Sequence, residues 1–116
     1  MLKVLKRLNR EVGVKGSMVV SPDGLVVMSE LGEGFNENVV AAMASSTINA
    51  TKKALEYLGC HRFDRIILNS VHGRIVFVDI ELACLLVLTD KNINIDFTLL
   101  EIDGAAHRIK NLWKLD

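Results

Sequence analysis

The sequence is poor in the residues that usually announce chemistry. It holds one proline, two cysteines and only 5% aromatics in 116 residues. Cys60 and Cys84 lack C-x-x-C spacing, which argues against a disulfide framework or a zinc site. Reduced, half-buried thiols are the expectation. So few flat rings give little material for a nucleotide or heterocycle pocket. Fourteen basic and fourteen acidic residues cancel, so no global field draws the chain to nucleic acid or anionic lipid. The longest apolar run, "LACLLVL" at 82–88, falls far short of the roughly 20 residues a membrane helix needs. The opening "MLKVLKRLNREV" interleaves bases with apolar residues, so no signal peptide is expected there. A soluble, cytoplasmic chain is the expectation.

What is present is patterned. At this length, with 50% hydrophobic and 24% charged residues, one globular domain over 1–116 is expected. Leu2, Leu5, Leu8 and Val12, with Val4, predict a short helix ended by Gly13; its other side carries Lys3, Lys6, Arg7 and Arg10. Those bases form either a solvated face or a contact for an acidic partner. Two valine-rich runs flank Ser21-Pro22-Asp23-Gly24, which predicts a hairpin with strands near 16–21 and 25–30.

A long helix is expected over 36–58, capped by Asn36 and stopped by Gly59. Within it "VVAAMASSTINAT" (39–51) carries no charge. The spacing of Val39, Val40, Met43, Thr47, Ala50, Ala54, Leu55 and Leu58 assigns these residues to the core. The opposite side reads Ala42, Ser45, Ser46, Asn49, Lys52, Lys53 and Glu56. An uncharged stripe of small residues there points to a covering polypeptide, since a solvated helix would normally show Lys and Glu.

Three closely spaced strands follow, near 64–70, 74–80 and 81–90, with turns too short for parallel crossovers. "IVFV" and "CLLVL" are apolar at consecutive positions, so both faces of the sheet should be covered. Leu99, Ile102, Ala106, Ile109 and Trp113 predict a closing helix to Leu115. Gly104 inside it suggests close packing on the sheet. The expected architecture is an α+β, three-layer sandwich in the order α-β-β-α-β-β-β-α around a five-stranded antiparallel sheet.

Catalytic constellations are scarce. There is no phosphate-binding glycine loop, no H-E-x-x-H, and the three histidines are scattered. Cys60-His61 with Asp64 is the nearest approach to a nucleophile and base. Adjacent side chains point apart, however, and a helix C-terminus disfavours a thiolate. Asp79, Glu81 and Asp103 show no metal-loop spacing, and solvated acids beside a turn are ordinary. Met18, Met28 and Met43 are assigned to core packing. No cofactor or metal, no nucleic acid and no membrane insertion are expected, and function is placed on a surface.

Four stretches in order carry a resemblance: "VGVKGSMVVSPDGLVVMSE", "AAMASSTINATKKALEYLG", "RIILNSVHGRIVFVDIELACLLVLTD" and "NIDFTLLEIDGAAHRIKNLW". Together the chain resembles the Roadblock/dynein light chain family, which includes bacterial and archaeal regulators of small Ras-like GTPases. The resemblance implies a profilin-like sandwich that dimerises, the third strand and the long helix meeting their counterparts across a two-fold axis. It implies a dimer interface at Ala42, Ser45, Ser46, Asn49, Arg65, Ile67 and Asn69. It also implies a GTPase-facing surface at Ser45, Asn49, Lys52, Lys53 and Glu56. A GTPase is regulated in this way through its own catalytic residues, with none supplied by the regulator. The alternatives are a scaffold subunit that pairs with another Roadblock-like chain without affecting GTP turnover, and a small-molecule sensor.

Overall fold

Each element of the fold can be traced to local sequence, beginning with a short N-terminal helix. The computed structural model describes residues 1–115. Helix α1 spans Leu2–Leu8 and buries Leu5 and Leu8 against the sheet. It stops earlier than Gly13 because Asn9 is drawn off to the sheet. The Asn9 amide donates to the Glu30 carbonyl at 2.7 Å, and its Oδ1 accepts from the Ser17 hydroxyl at 2.7 Å. Ser17 is fully buried, and that bond satisfies it. Val12, expected on the buried side, lies beyond the helix and is 87% exposed.

Strands β1 (Val14–Val20) and β2 (Val26–Leu31) form the expected hairpin. Its turn closes through Gly24 N–H to the Ser21 carbonyl at 3.0 Å and Ser21 N–H to the Leu25 carbonyl at 2.9 Å. Gly24 sits at φ 84°, a left-handed conformation that a Cβ disfavours. Helix α2 spans Glu37–Glu56, and its Asn36 side chain accepts from Val39 N–H. Gly59, at φ 76°, turns the chain away from the helix axis.

Strands β3 (Arg65–Asn69), β4 (Gly73–Asp79) and β5 (Cys84–Asp90) form the antiparallel meander. The fifth strand begins later than expected because 80–83 form a tight turn. Asp79 organises that turn. Its Oδ1 accepts from Glu81 N–H at 3.0 Å, while Oδ2 accepts from Arg62 Nη2 at 2.8 Å and Nε at 3.1 Å. Asp79 is therefore a largely enclosed, paired structural carboxylate, unlike the solvated acid expected from sequence.

The sheet order is β2-β1-β5-β4-β3, with β1 pairing antiparallel with β5. Met18, Leu86, Phe77 and Ile66 stand in line across four strands, all facing α2. Val19, Leu85, Val78 and Val76 face the other way, toward α1 and α3 (Ile95–Leu115). Consecutive apolar residues thus feed two separate cores, and the three-layer sandwich stands as expected. No helix among the described residues is long and apolar enough to cross a membrane.

Helix α3 buries Ile102, Ala105, Ala106 and Ile109. It starts four residues before Leu99, where Asn94 accepts from Phe97 N–H and Thr98 donates its hydroxyl to the Asn94 carbonyl. Gly104 does not mark a close approach to the sheet: a Cβ there would meet only the Arg108 guanidinium, with Nη1 nearest at 3.6 Å. With space available and no positive φ, Gly104→Ala is expected to stabilise the fold by about 1 kcal/mol through helix propensity. A thermal melt a few degrees above that of the parent chain checks it.

Candidate interaction surface

Helix α2 is rotated relative to the expectation from sequence. The residues that meet the sheet are Ala41, Ala44 and Ile48, with Val40 and Leu55 beside them. Of the residues assigned to the core, Val39 is 53% exposed and Met43 66%, and Ala50, Ala54 and Leu58 also face outward. Met43 is therefore not core packing, whereas Met18 is fully buried and Met28 partly so. The physical reason lies in the sheet. Phe77, Met18 and Leu86 already fill the space beneath α2, so small residues let the helix settle close. A row of larger side chains would hold it away. Ala41, Ala44 and Ile48 repeat at i, i+3 and i+7, a signal the sequence carried but bulkier neighbours obscured.

The outward face of α2 then reads Val39, Met43, Ser46, Ala50, Lys53, Ala54 and Tyr57, with Ala42 and Asn49 on its flank. Tyr57 is 93% exposed. Three of the four residues of the uncharged stripe, Ala42, Ser46 and Asn49, are thus exposed, and they run beside an apolar row, Val39, Met43, Ala50 and Ala54, that the sequence spacing assigns to the core.

The implied site residues divide accordingly. Ala42, Ser46, Asn49, Lys53 and Glu56 are exposed, but Ser45 and Lys52 are half-buried and turn toward their own chain. Ser45 donates its hydroxyl to the Pro22 carbonyl at 2.9 Å and accepts from the Asn49 amide at 3.4 Å. Its hydroxyl therefore tethers α2 to the first hairpin, a duty the partner assignment did not foresee. Lys52 lies over a cavity of about 10 Å³ shared with Ile48, Phe63 and Cys84. That volume admits about one water, far below the several hundred Å³ of a ligand site.

Strand β3 is one margin of the sheet, bonded among the described strands to β4 alone. Ile67 and Leu68 are exposed on its two faces. Arg65 is held by Asp103 of α3, and Asn69 accepts from Arg74 Nε at 2.8 Å, so both are already oriented by their own chain. The other margin, β2, is guarded: α1 packs against it and Asn9 occupies the Glu30 carbonyl. A strand edge left open beside exposed aliphatic residues is a template for another chain.

Among the described residues no group of three His, Cys, Asp or Glu is arranged to hold a metal. Cys60 and His61 are both exposed. Cys84 is buried, and desolvation, reinforced by the Asp79 charge, lifts its thiol from the ordinary 9.0 to about 12. Cys84 thus remains a neutral thiol at physiological pH. Disulfide-exchange reagents at pH 8 are expected to label Cys60 in the folded protein and to reach Cys84 only after denaturation. Two fast equivalents of released chromophore would contradict this.

The sequence and the fold have known counterparts. The Roadblock/LC7 domain model matches residues 1–89. Uncharacterized proteins MJ0714 and MJ1340 of Methanocaldococcus jannaschii are 36% and 34% identical over 96% of this chain, covering 94% and 97% of their own lengths. In three dimensions the chain is similar to Myxococcus xanthus MglB, with TM-score 0.93 at 14% identity over 99% of this chain and 95% of that one. It is also similar to the gliding protein MglB of Thermus thermophilus, with TM-score 0.87 at 17% identity over 98% and 88%. A further similar structure is described as MglB with tetrameric arrangement, with TM-score 0.84 at 19% identity over 94% and 84%. Roadblock/LC7 domains are non-catalytic protein-interaction modules. With its element order, its sheet and more than three-quarters of its length matched, this chain belongs to the Roadblock/LC7 domain family.

Proposed function

We propose that the chain works in the cytoplasm as a homodimer that binds and regulates a small Ras-like GTPase. One observation carries the reading: the exposed apolar row Val39, Met43, Ala50, Ala54 and Tyr57 on α2, in a molecule whose sheet ends in the β3 edge. A two-fold axis normal to the sheet would pair β3 with its counterpart and bring the two α2 helices together. Such a contact is self-complementary by construction. The tetrameric arrangement described for one similar MglB supports self-association as a habit of this fold.

The role toward a GTPase rests on the family resemblance, and the chain adds a consistent feature. Lys53 and Glu56 stand exposed near the C-terminal end of α2, unpaired with each other, and remain available at the rim of a paired-helix platform. A regulator of this kind repositions groups the GTPase already owns and needs no catalytic residue of its own. The test has two stages. Sedimentation equilibrium of the purified chain should give twice the single-chain mass. GTP turnover by individual Ras-like GTPases of the source cell should then change on addition of the dimer. A single-chain mass at micromolar concentration would remove the basis of the proposal.

A second reading has its own support. Three relatives at 34–36% identity occur in one archaeon, so chains of this kind coexist in a cell. The same α2 and β3 surfaces would then join two different Roadblock-like chains into a scaffold without effect on GTP turnover. Native mass spectrometry of mixed chains, showing the hetero-pair over the homodimer, would favour it.

A further inference from the structure

The opposite face of the molecule carries a feature the α2 and β3 surfaces do not use. Residues 1–10 contain four bases and no acid, in a chain whose overall charge is zero. Lys3, Lys6, Arg7 and Arg10 fall within an arc of about 100° around α1 and the turn that follows it. All four are exposed, and no ion pair among the described residues engages them. Leu5 and Leu8 anchor the other side of the helix in the core, so the basic row is fixed outward. Beside its C-terminal end stand the exposed apolar side chains of Val12 and Phe97, the latter at 55%, and Leu100, 70% exposed, follows three residues on in α3. Val12 and Phe97 rim one open trough between the α1–β1 connection and the start of α3. Acids also stand at this end: Glu11 in the trough, Asp96 in the first turn of α3, Asp90, whose N–H donates to the Gly13 carbonyl and whose carboxylate pairs with Lys15, and Glu30, whose carbonyl Asn9 engages.

We propose that this face docks on the anionic headgroups of a lipid bilayer, at its surface and without insertion. The inference rests in part on the dimer proposed above. A two-fold axis normal to the sheet leaves both α1–α3 layers on the same side, so the dimer presents two basic rows to one plane. Two rows acting together bind a surface far more tightly than one, since the second engagement is intramolecular. The bases project from a convex helix with exposed apolar side chains beside them. That combination fits a charged interface with an apolar interior better than an acidic peptide, which would call for a groove lined by the bases. Zero overall charge does not oppose this, because attraction to a membrane acts within about a Debye length, roughly 8 Å at physiological salt.

The test is flotation of the full chain with vesicles of phosphatidylcholine alone or mixed with phosphatidylglycerol. Binding is expected only to the mixed vesicles, and is expected to vanish near 1 M salt, where the Debye length is about 3 Å. Replacing Lys3, Lys6, Arg7 or Arg10 by glutamine, a good helix former, should weaken binding about fivefold for each base removed. Thermal melts establish that each variant folds. Equal flotation with both vesicle types, no flotation, or a fourfold glutamine variant that floats like the parent would overturn the proposal. So would capture of an acidic polyglutamate peptide without flotation. Sedimentation run in parallel separates the two ideas: a single-chain parent that still floats through its four bases removes the dimer and leaves the docking face standing.

Discussion

Replacing Met43 by glutamate will part the proposed dimer into single chains without destabilising either of them. In the isolated chain Met43 is 66% exposed, so a carboxylate there stays in water and the fold loses nothing of consequence. Across a helix-to-helix contact the outcome reverses. Each chain forfeits the burial of a methionine side chain, about 1.5–3 kcal/mol, and must also strip water from a charge. Two-fold symmetry enters the substitution twice, so the total is at least about 3 kcal/mol, and the dimer dissociation constant should rise more than about a hundredfold. Sedimentation across a concentration series reads the assembly, and urea unfolding reads the single chain. A dimer that survives the substitution would mean that the outward face of α2 is not where two chains meet. Had Met43 been core, as its spacing implied, the same change would collapse the fold, so one variant separates the two orientations of the helix.

Phe77→Ala should have the largest effect on stability, about 3–5 kcal/mol. Phe77 is 2% exposed and stands in the centre of the sheet, registered against Ile66 on one side and Leu86 on the other. It also supports α2 through the cluster holding Ala44 and Ile48. Truncating it leaves a cavity beneath the part of α2 whose buried residues are two alanines and one isoleucine. The loss is a large fraction of the roughly 5–15 kcal/mol available to a domain of this size. Urea denaturation at fixed protein concentration measures it. Val71→Ala, at an exposed turn, should stay within about 0.5 kcal/mol and serves as the comparison.

Much of the architecture was legible because local signals agreed with the final fold. Ser21-Pro22-Asp23-Gly24 demanded a turn, Asn36 a helix start and Gly59 a helix end. Consecutive apolar residues in β4 and β5 demanded cover on two faces. What stayed hidden was set by distant partners. The placement of β1 beside β5 depends on pairing between opposite ends of the sequence, such as Val19 with Leu85, which no local pattern encodes. The rotation of α2 escaped because the helix is apolar on both sides. Ranking residues by size sent Val39 and Met43 inward, when the face over Met18 and Phe77 is the one that carries Ala41, Ala44 and Ile48. The site followed that error: Ala42, Ser46 and Asn49 are exposed as foreseen, yet Ser45 is claimed by the Pro22 carbonyl, which lies 23 residues away. The guard that Asn9 places on β2 was equally invisible, since it cuts short a helix whose periodicity runs on to Val12.

That cover on β2 bears on the extent of the proposed assembly. A protein with two receptive sheet margins can add copies without end and grow into fibres. Here α1 packs against β2 and Asn9 occupies its Glu30 carbonyl, whereas β3 is the margin that pairs with β4 on one side. Pairing of β3 with its counterpart, as proposed above, would use up that edge in a single step, so the expected product is a closed pair and not a filament.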